Sequence, residues 1–226
     1  MARKTKEEAA ETRDSVLMAA LDLFAEKGYS RTTFSDIGKR IGMTRGAVYW
    51  HFENKEVLLA SLIDHVHVLK EEMVESQIPD IQTVEDLRNT FILYARVVEN
   101  DPVVRKFEFF LNYQMEWSEG LLLETQKKMN ELRPNPLENF RAHFDVPEIA
   151  ARFRTGTDVD QLVLTLGSFW VGACKLYLGR HFPSVEFGQC ADKEVEILAG
   201  MSFERTVENG FDLIMSGVLK EESNDE

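Results

Sequence analysis

Residues 44–55, TRGAVYWHFENK, gather side chains suited to one kind of chemistry, hydrogen bonding to a polyanion. Arg45 can donate two hydrogen bonds to a guanine edge or one to a phosphate, and Ala47 can touch a thymine methyl. Gly46 and Ala47 are small enough to let a partner approach the backbone. Tyr49 and His51, farther along, can rest their rings on protein while their polar tips reach phosphates, contacts that position without reading sequence. Lys55 adds a charge at a fresh helix start, beside amides that already attract phosphate. Thr33 and Ser35, upstream, can hold the opposite strand. Val48 should point inward, and Trp50 and Phe52 are expected to be structural, fixing the angle between successive helices.

Other chemistries find little support in the residue pattern. Histidines at 51, 65, 67, 143 and 181 form no metal-ligand spacing, since His65 and His67 diverge on a helix where ligands four apart would converge. No glycine-rich phosphate loop, GxSxG elbow or CxxC pair occurs, so no enzyme, metal or cofactor is expected. Cys174 and Cys190 are too few for a disulfide framework, which suits a reducing cytosol. No uninterrupted apolar run approaches the ~20 residues that span a bilayer. The start, ARKTKEEAAETR, is polar without a signal-peptide core. A cytoplasmic protein with no membrane partner is the expectation.

Charge is unevenly spread. The chain of 226 residues carries a formal net charge of -13. The first 60 residues hold 10 Lys plus Arg against 9 Asp plus Glu, so all the excess acid lies beyond them. Only this first part is fit to meet a polyanion, which an acidic surface would repel.

The elements that must position the segment follow from helical spacing. Val16, Leu17, Ala20, Leu21 and Phe24 mark one face of a first helix from Arg13 to Lys27, stopped by Gly28. Phe34, Ile37 and Ile41 mark a second, from Thr33 to Ile41, ended by Gly42. Thr44 starts a third, short helix, and Asn54 caps a fourth whose Leu58, Leu59, Leu62, Ile63, Val66, Leu69 and Met73 continue toward Pro79. Two short helices around a glycine turn fit a helix-turn-helix unit, whose second helix is the candidate for insertion into the DNA major groove.

The ordered combination TRDSVLMAALDLFAEKGYSRTTFSDIGKRIGMTRGAVYWHFENKEVLL, read from Thr12, resembles the DNA-binding region of the TetR family of bacterial repressors. The start resembles, more narrowly, repressors of multidrug efflux operons. The resemblance implies an all-α homodimer. Its DNA-binding domain would occupy residues 1–54, and a larger helical ligand-binding and dimerisation domain residues 55–226. The expected DNA contacts at matching positions are Thr33, Thr44, Arg45, Gly46, Tyr49, His51 and Lys55. The implied function is repression at a palindromic double-stranded operator, relieved by a hydrophobic small molecule; activation, or control of metabolic genes, is the alternative.

Beyond the motif the helical pattern continues. Thr83 and Asp86 form a capping-box pair before a helix over residues 84–99, and Asp101-Pro102 begins another. Further helices are expected after Ser118 to Leu132, over residues 137–144 and 158–178, and in one run from Ala191 to Val218. Aromatic residues crowd on more than one helix face between Phe107 and Trp117, which suggests a cavity. Phe107, Glu108, Phe110, Leu111, Met115 and Trp117, with Phe169, Trp170, Cys174 and Tyr177, are the candidate ligand-binding residues. Either Glu108 or Glu116, facing such a cavity, would favour cationic hydrophobic compounds. Gly167 and Gly172 are expected to allow close helix approach, which fits a dimer interface or a monomeric bundle; the family resemblance implies that the last two helices form the dimer interface.

Overall fold

The computed structural model describes residues 6–133, 135–181, 200 and 202–220. These residues form helices, with one isolated antiparallel bridge between Phe153 and Leu219. They fall into two compact units, each assembled from segments far apart in sequence: residues 1–69 with 106–133, and residues 70–105 with 134–226.

The first unit begins with α1 (Lys6–Lys27). Its face of Val16, Leu17, Ala20, Leu21 and Phe24 is buried, as the spacing requires. The helix starts seven residues before the expected Arg13, because KEEAAET is rich in good helix formers and needs no apolar stripe to continue the turn. Helices α2 (Phe34–Arg40), α3 (Arg45–His51) and α4 (Lys55–Glu75) follow. Ile37, Val48, Phe52, Leu58, Leu59, Leu62 and Val66 fill the core with the α1 residues. Asn54 caps α4 by accepting from the Val57 amide at 2.8 Å.

Helix α6 (Pro102–Phe109) runs into a π-helical turn over Phe110–Gln114, and α7 (Glu119–Leu132) begins behind a Ser118 cap. The π turn was not legible as a departure from the α period. Phe110, fully buried, stacks on Phe24 with centroids 5.2 Å apart, and Phe24 meets Tyr29 at 5.3 Å. Lys106 pairs with Asp22 of α1, and the Ser30 hydroxyl donates to Glu116 at 2.8 Å. The segment from Lys106 to Glu116 is thereby joined to α1 and to the loop after it by one aromatic and two polar contacts.

In the second unit, α5 (Val84–Asn100) opens with the expected capping box: the Asp86 amide donates to Thr83 Oγ1 at 3.1 Å, and the Thr83 amide to the Asp86 carboxylate at 2.8 Å. Phe203, Val207, Phe211 and Met215 make a buried stripe at every fourth residue of α11 (Phe203–Ser216). Arg88 reaches Glu208 and Asp212, both at 2.7 Å, Arg96 reaches Glu204 at 2.7 Å, and Glu99 accepts from the Phe203 amide at 2.6 Å. Rising residue numbers on α5 meet falling ones on α11, so the two helices lie antiparallel. Helices α8 (Pro136–Ala142), α9 (Pro147–Ala150) and α10 (Val159–His181) complete the unit. Arg154 donates to the carbonyl of Leu219 at 2.8 Å, tying down the chain beyond α11.

Three expectations change here. Helix α11 starts at Phe203, because Ser202 is extended (φ -86, ψ 129) and caps it; residues 191–199 and 201 of the expected longer helix lie outside the described residues. Over Val159–Gly179, α10 is long and apolar enough to cross a bilayer by length and composition, since a few polar residues do not lower the average of the span. Among the described residues a Cβ at Gly167 or Gly172 would meet nothing within 4 Å, so neither glycine serves a close approach to them.

Gly210 serves one instead. A Cβ there would lie 2.0 to 2.7 Å from the Phe169 ring. Gly210→Ala is expected to destabilise the protein by ~1–3 kcal/mol through overpacking, outweighing the helix-propensity gain. Urea unfolding at fixed protein concentration checks this, and adding Phe169→Leu should recover part of the loss.

Candidate nucleic-acid interface

The interface starts with a capping box at α2. Thr33 is extended (φ -115, ψ 159); its hydroxyl and amide both donate to the Asp36 carboxylate, at 2.7 and 2.9 Å. Lys27 also contacts that carboxylate at 2.9 Å, and this ammonium, with Thr33, holds Asp36 well below the usual carboxylate range. Fixing the first turn of α2 places Phe34 and Ser35.

The turn depends on two glycines. Gly42 has φ +68, open to glycine without the clash that a Cβ would bring. Gly38 lets the Met43 amide donate to its carbonyl at 2.7 Å, and a Cβ there would lie 2.8 Å from the Met43 carbonyl oxygen. The role of Gly38 was missed in the sequence, where a glycine inside a helical run carries no sign of what approaches it.

Helix α3 is capped by Thr44, whose hydroxyl accepts from the Ala47 amide at 3.2 Å. Val48 and Phe52 are buried, as expected, and the Arg13 guanidinium lies over the Phe52 ring at 5.0 Å. Trp50 overturns its expected core role: it is 73% exposed, turned away from the Val48 face and edge-on to His51 with centroids 4.6 Å apart. Tyr49 rests edge-on against Phe34 at 4.8 Å, and Arg45 Nη2 donates to its hydroxyl at 3.1 Å. A Cβ at Gly46 would meet only the Thr44 hydroxyl, at 3.8 Å. The fold itself does not need glycine there, which leaves room on the outer face.

Thr33, Ser35, Arg45, Tyr49 and Lys55 come together around one groove of about 390 Å³, completed by Phe34, Glu53 and Asn54. Lys55, however, is engaged from behind. Its ammonium donates to the carbonyls of Tyr29 (2.7 Å), Thr32 (3.1 Å) and Ser30 (3.5 Å), and lies 4.1 Å from the Tyr29 ring centroid. Burial pushes its pKa down. The three donors of an ammonium are thus matched to three backbone acceptors of the loop between α1 and α2.

The candidate ligand-binding residues divide between the units. In the first, Phe107 and Phe110 are fully buried and Glu108 is buried, Leu111 and Met115 are half-buried, and Trp117 is 41% exposed. Phe107 meets His67 edge-on at 6.2 Å. In the second, Trp170 and Tyr177 both pack on Phe203, at 5.4 and 5.0 Å, Cys174 is buried, and Phe169 lies against Gly210.

Residues 16–62 match the family model for bacterial regulatory proteins of the tetR family. The uncharacterized regulator TtgW of Pseudomonas putida is 37% identical over 123 residues, 54% of this chain and 88% of TtgW. The chain belongs to the TetR family. The HTH-type transcriptional regulator TtgR of the same species is 32% identical over 133 residues, 58% of this chain, and the match spans only 63% of TtgR's length. Among solved structures, a complex of SmeT with triclosan agrees with a TM-score of 0.69 at 26% identity, covering 93% of each chain. SmeT is the repressor of the Stenotrophomonas maltophilia multidrug efflux pump SmeDEF.

Within this TetR-family unit the Lys55 contacts make a direct forecast. Lys55→Met, which keeps the apolar stem, is expected to lower unfolding stability by ~1–3 kcal/mol as charged hydrogen bonds are lost. The salt dependence of binding to duplex DNA should be unchanged. A fall of about 0.9 in the log–log salt slope, with stability intact, would instead make Lys55 a phosphate contact.

Proposed function

We propose that the chain is a ligand-responsive transcriptional repressor of efflux-related genes, acting as a homodimer on a palindromic operator. The observation that carries this reading is the outer face of α3. Arg45, Tyr49 and Trp50 are exposed side by side, next to a Gly46 that the fold leaves unfilled. Arg45 and the small Gly46 and Ala47 would read base edges, while Thr33, Ser35, Thr44, Trp50 and His51 would hold phosphates and fix the helix in the groove.

Two such helices must meet two half-sites about 34–36 Å apart. The second unit offers a face for the pairing: Leu164 (52% exposed), Val171 (57%) and Leu176 (44%) share one side of α10 with the bare Gly172, and Leu213 on α11 is 75% exposed. Leaving these residues in water forgoes burial of roughly 25 cal/mol per Å² of apolar surface, which a second copy would recover.

The SmeT complex with triclosan, and SmeT's role at an efflux pump, support an apolar aromatic inducer and an efflux operon as target. Phe107, Glu108, Phe110, Leu111, Met115 and Trp117 in the first unit, and Phe169, Trp170, Cys174 and Tyr177 in the second, are the side chains proposed to serve ligand binding. A ligand displacing the α6 end would be felt by α1 through the Phe110–Phe24 stack and the Lys106–Asp22 and Glu116–Ser30 contacts. The ligand then favours the state that binds DNA less well.

Sequencing of genomic fragments retained by the purified protein should return a palindrome upstream of transport genes. Saturating triclosan should weaken its binding by about 5- to 150-fold; unchanged affinity would remove the inducer from the proposal. Separately, Val171→Asp should shift the protein from dimer to monomer in sedimentation and abolish palindrome binding. A dimer that persists would place the interface elsewhere.

A further inference from the structure

We infer that Tyr49 is a specificity-determining residue that acts through Arg45, holding its guanidinium in the pose that reads a base, in place of the phosphate contact its type and position suggest. This rests on the DNA-reading function proposed above. Arg45 and Tyr49 stand four residues apart on α3, so they share a face, and helical side chains lean toward the N-terminus, which brings the Tyr49 ring under Arg45. The contact is made twice over. Arg45 Nη2 donates to the Tyr49 hydroxyl at 3.1 Å, and its guanidinium carbon lies 5.2 Å from the ring centroid.

Tyr49 is itself held. Its ring packs edge-on against Phe34 at 4.8 Å, and Phe34, 6% exposed, is the first residue of α2 behind the Thr33 capping box. The pose of Arg45 is thereby referred to the core through Tyr49 and Phe34, on a helix whose own start is pinned by Thr44. A guanidinium has five N–H donors, and the contact with Tyr49 uses one, leaving enough for a two-bond contact with guanine. An unheld arginine would have to give up its rotamer freedom on binding each site, right or wrong; a held one has less to lose at the matching base.

The test uses the duplex that the wild-type full chain selects most strongly from a random-sequence pool, together with its single-base-pair variants and a salt series. Wild type, Tyr49→Phe, Arg45→Ala and the double variant are compared; Tyr49 is 45% exposed, so the hydroxyl can be removed without opening the core. Arg45→Ala should flatten preference at one base pair per half-site by about 10- to 100-fold. Tyr49→Phe should flatten it at the same base pair by about three- to tenfold. Its salt slope should match wild type, and the double variant should be no flatter there than Arg45→Ala. If Tyr49→Phe weakens every duplex equally, with base preference kept, the hydroxyl is a phosphate contact and the inference is wrong. Unchanged preference and slope overturn it equally. A wild-type chain that selects no sequence defeats the DNA-reading function itself, a result distinct from any failure of the variant.

Discussion

The angle between α2 and α3 is set where the backbone of Met43 and Thr44 passes Gly38, a gap too narrow for a methyl group. The contact is a strong one, because the Met43 amide closes onto the Gly38 carbonyl at 2.7 Å. Most of the reading surface inherits its position from it. Val48 can be buried only if α3 lies down on α2 at this angle, and burying Val48 turns Arg45, Gly46, Tyr49 and Trp50 outward. Phe34 then meets Tyr49 from the first turn of α2. A surface helix of seven residues is too short to be stable by its own hydrogen bonds, so its shape comes from these tertiary contacts.

Much of this was legible in the residues. Caps are local events, and Thr33, Thr44, Asn54, Thr83 with Asp86, and Ser118 each take the role that their type and spacing indicate. Buried stripes at helical period were equally clear in α1 and α4. What escaped depends on groups distant in sequence or on the backbone. Lys55 reads as a free cation until the carbonyls of Tyr29, Ser30 and Thr32 are seen to converge on it. Trp50 reads as core because tryptophan usually is, yet it lies two residues past Val48, on the opposite side of the helix. The π turn at Phe110–Gln114 shifts the register of a segment in which aromatic residues occupy every face, so no periodicity marks it.

The two units use charge differently. In the second, arginines of α5 are each met by carboxylates of α11, so a strongly acidic sequence is partly spent on pairing neighbouring helices and setting their direction. Exposed pairs of this kind add little stability singly, and their value here is register. In the first, Arg40 binds Glu26 and Lys27 binds Asp36, which neutralises cations on the flank of the reading surface while Arg45 keeps its charge directed outward against Tyr49. A chain of net charge -13 can thus present a local positive tip to a polyanion.

The first unit is discontinuous, completed by residues 106–133 after an excursion of the chain through the second. Synthesis runs in one direction, at ~5–20 residues per second in the cell, so the reader's last segment is made roughly 3–13 seconds after residue 69. During that interval Phe24 lacks its stacking partner Phe110, and Asp22 lacks Lys106. The helix-turn-helix segment is therefore not a cassette that can be cut at the end of the sequence motif and grafted elsewhere unchanged.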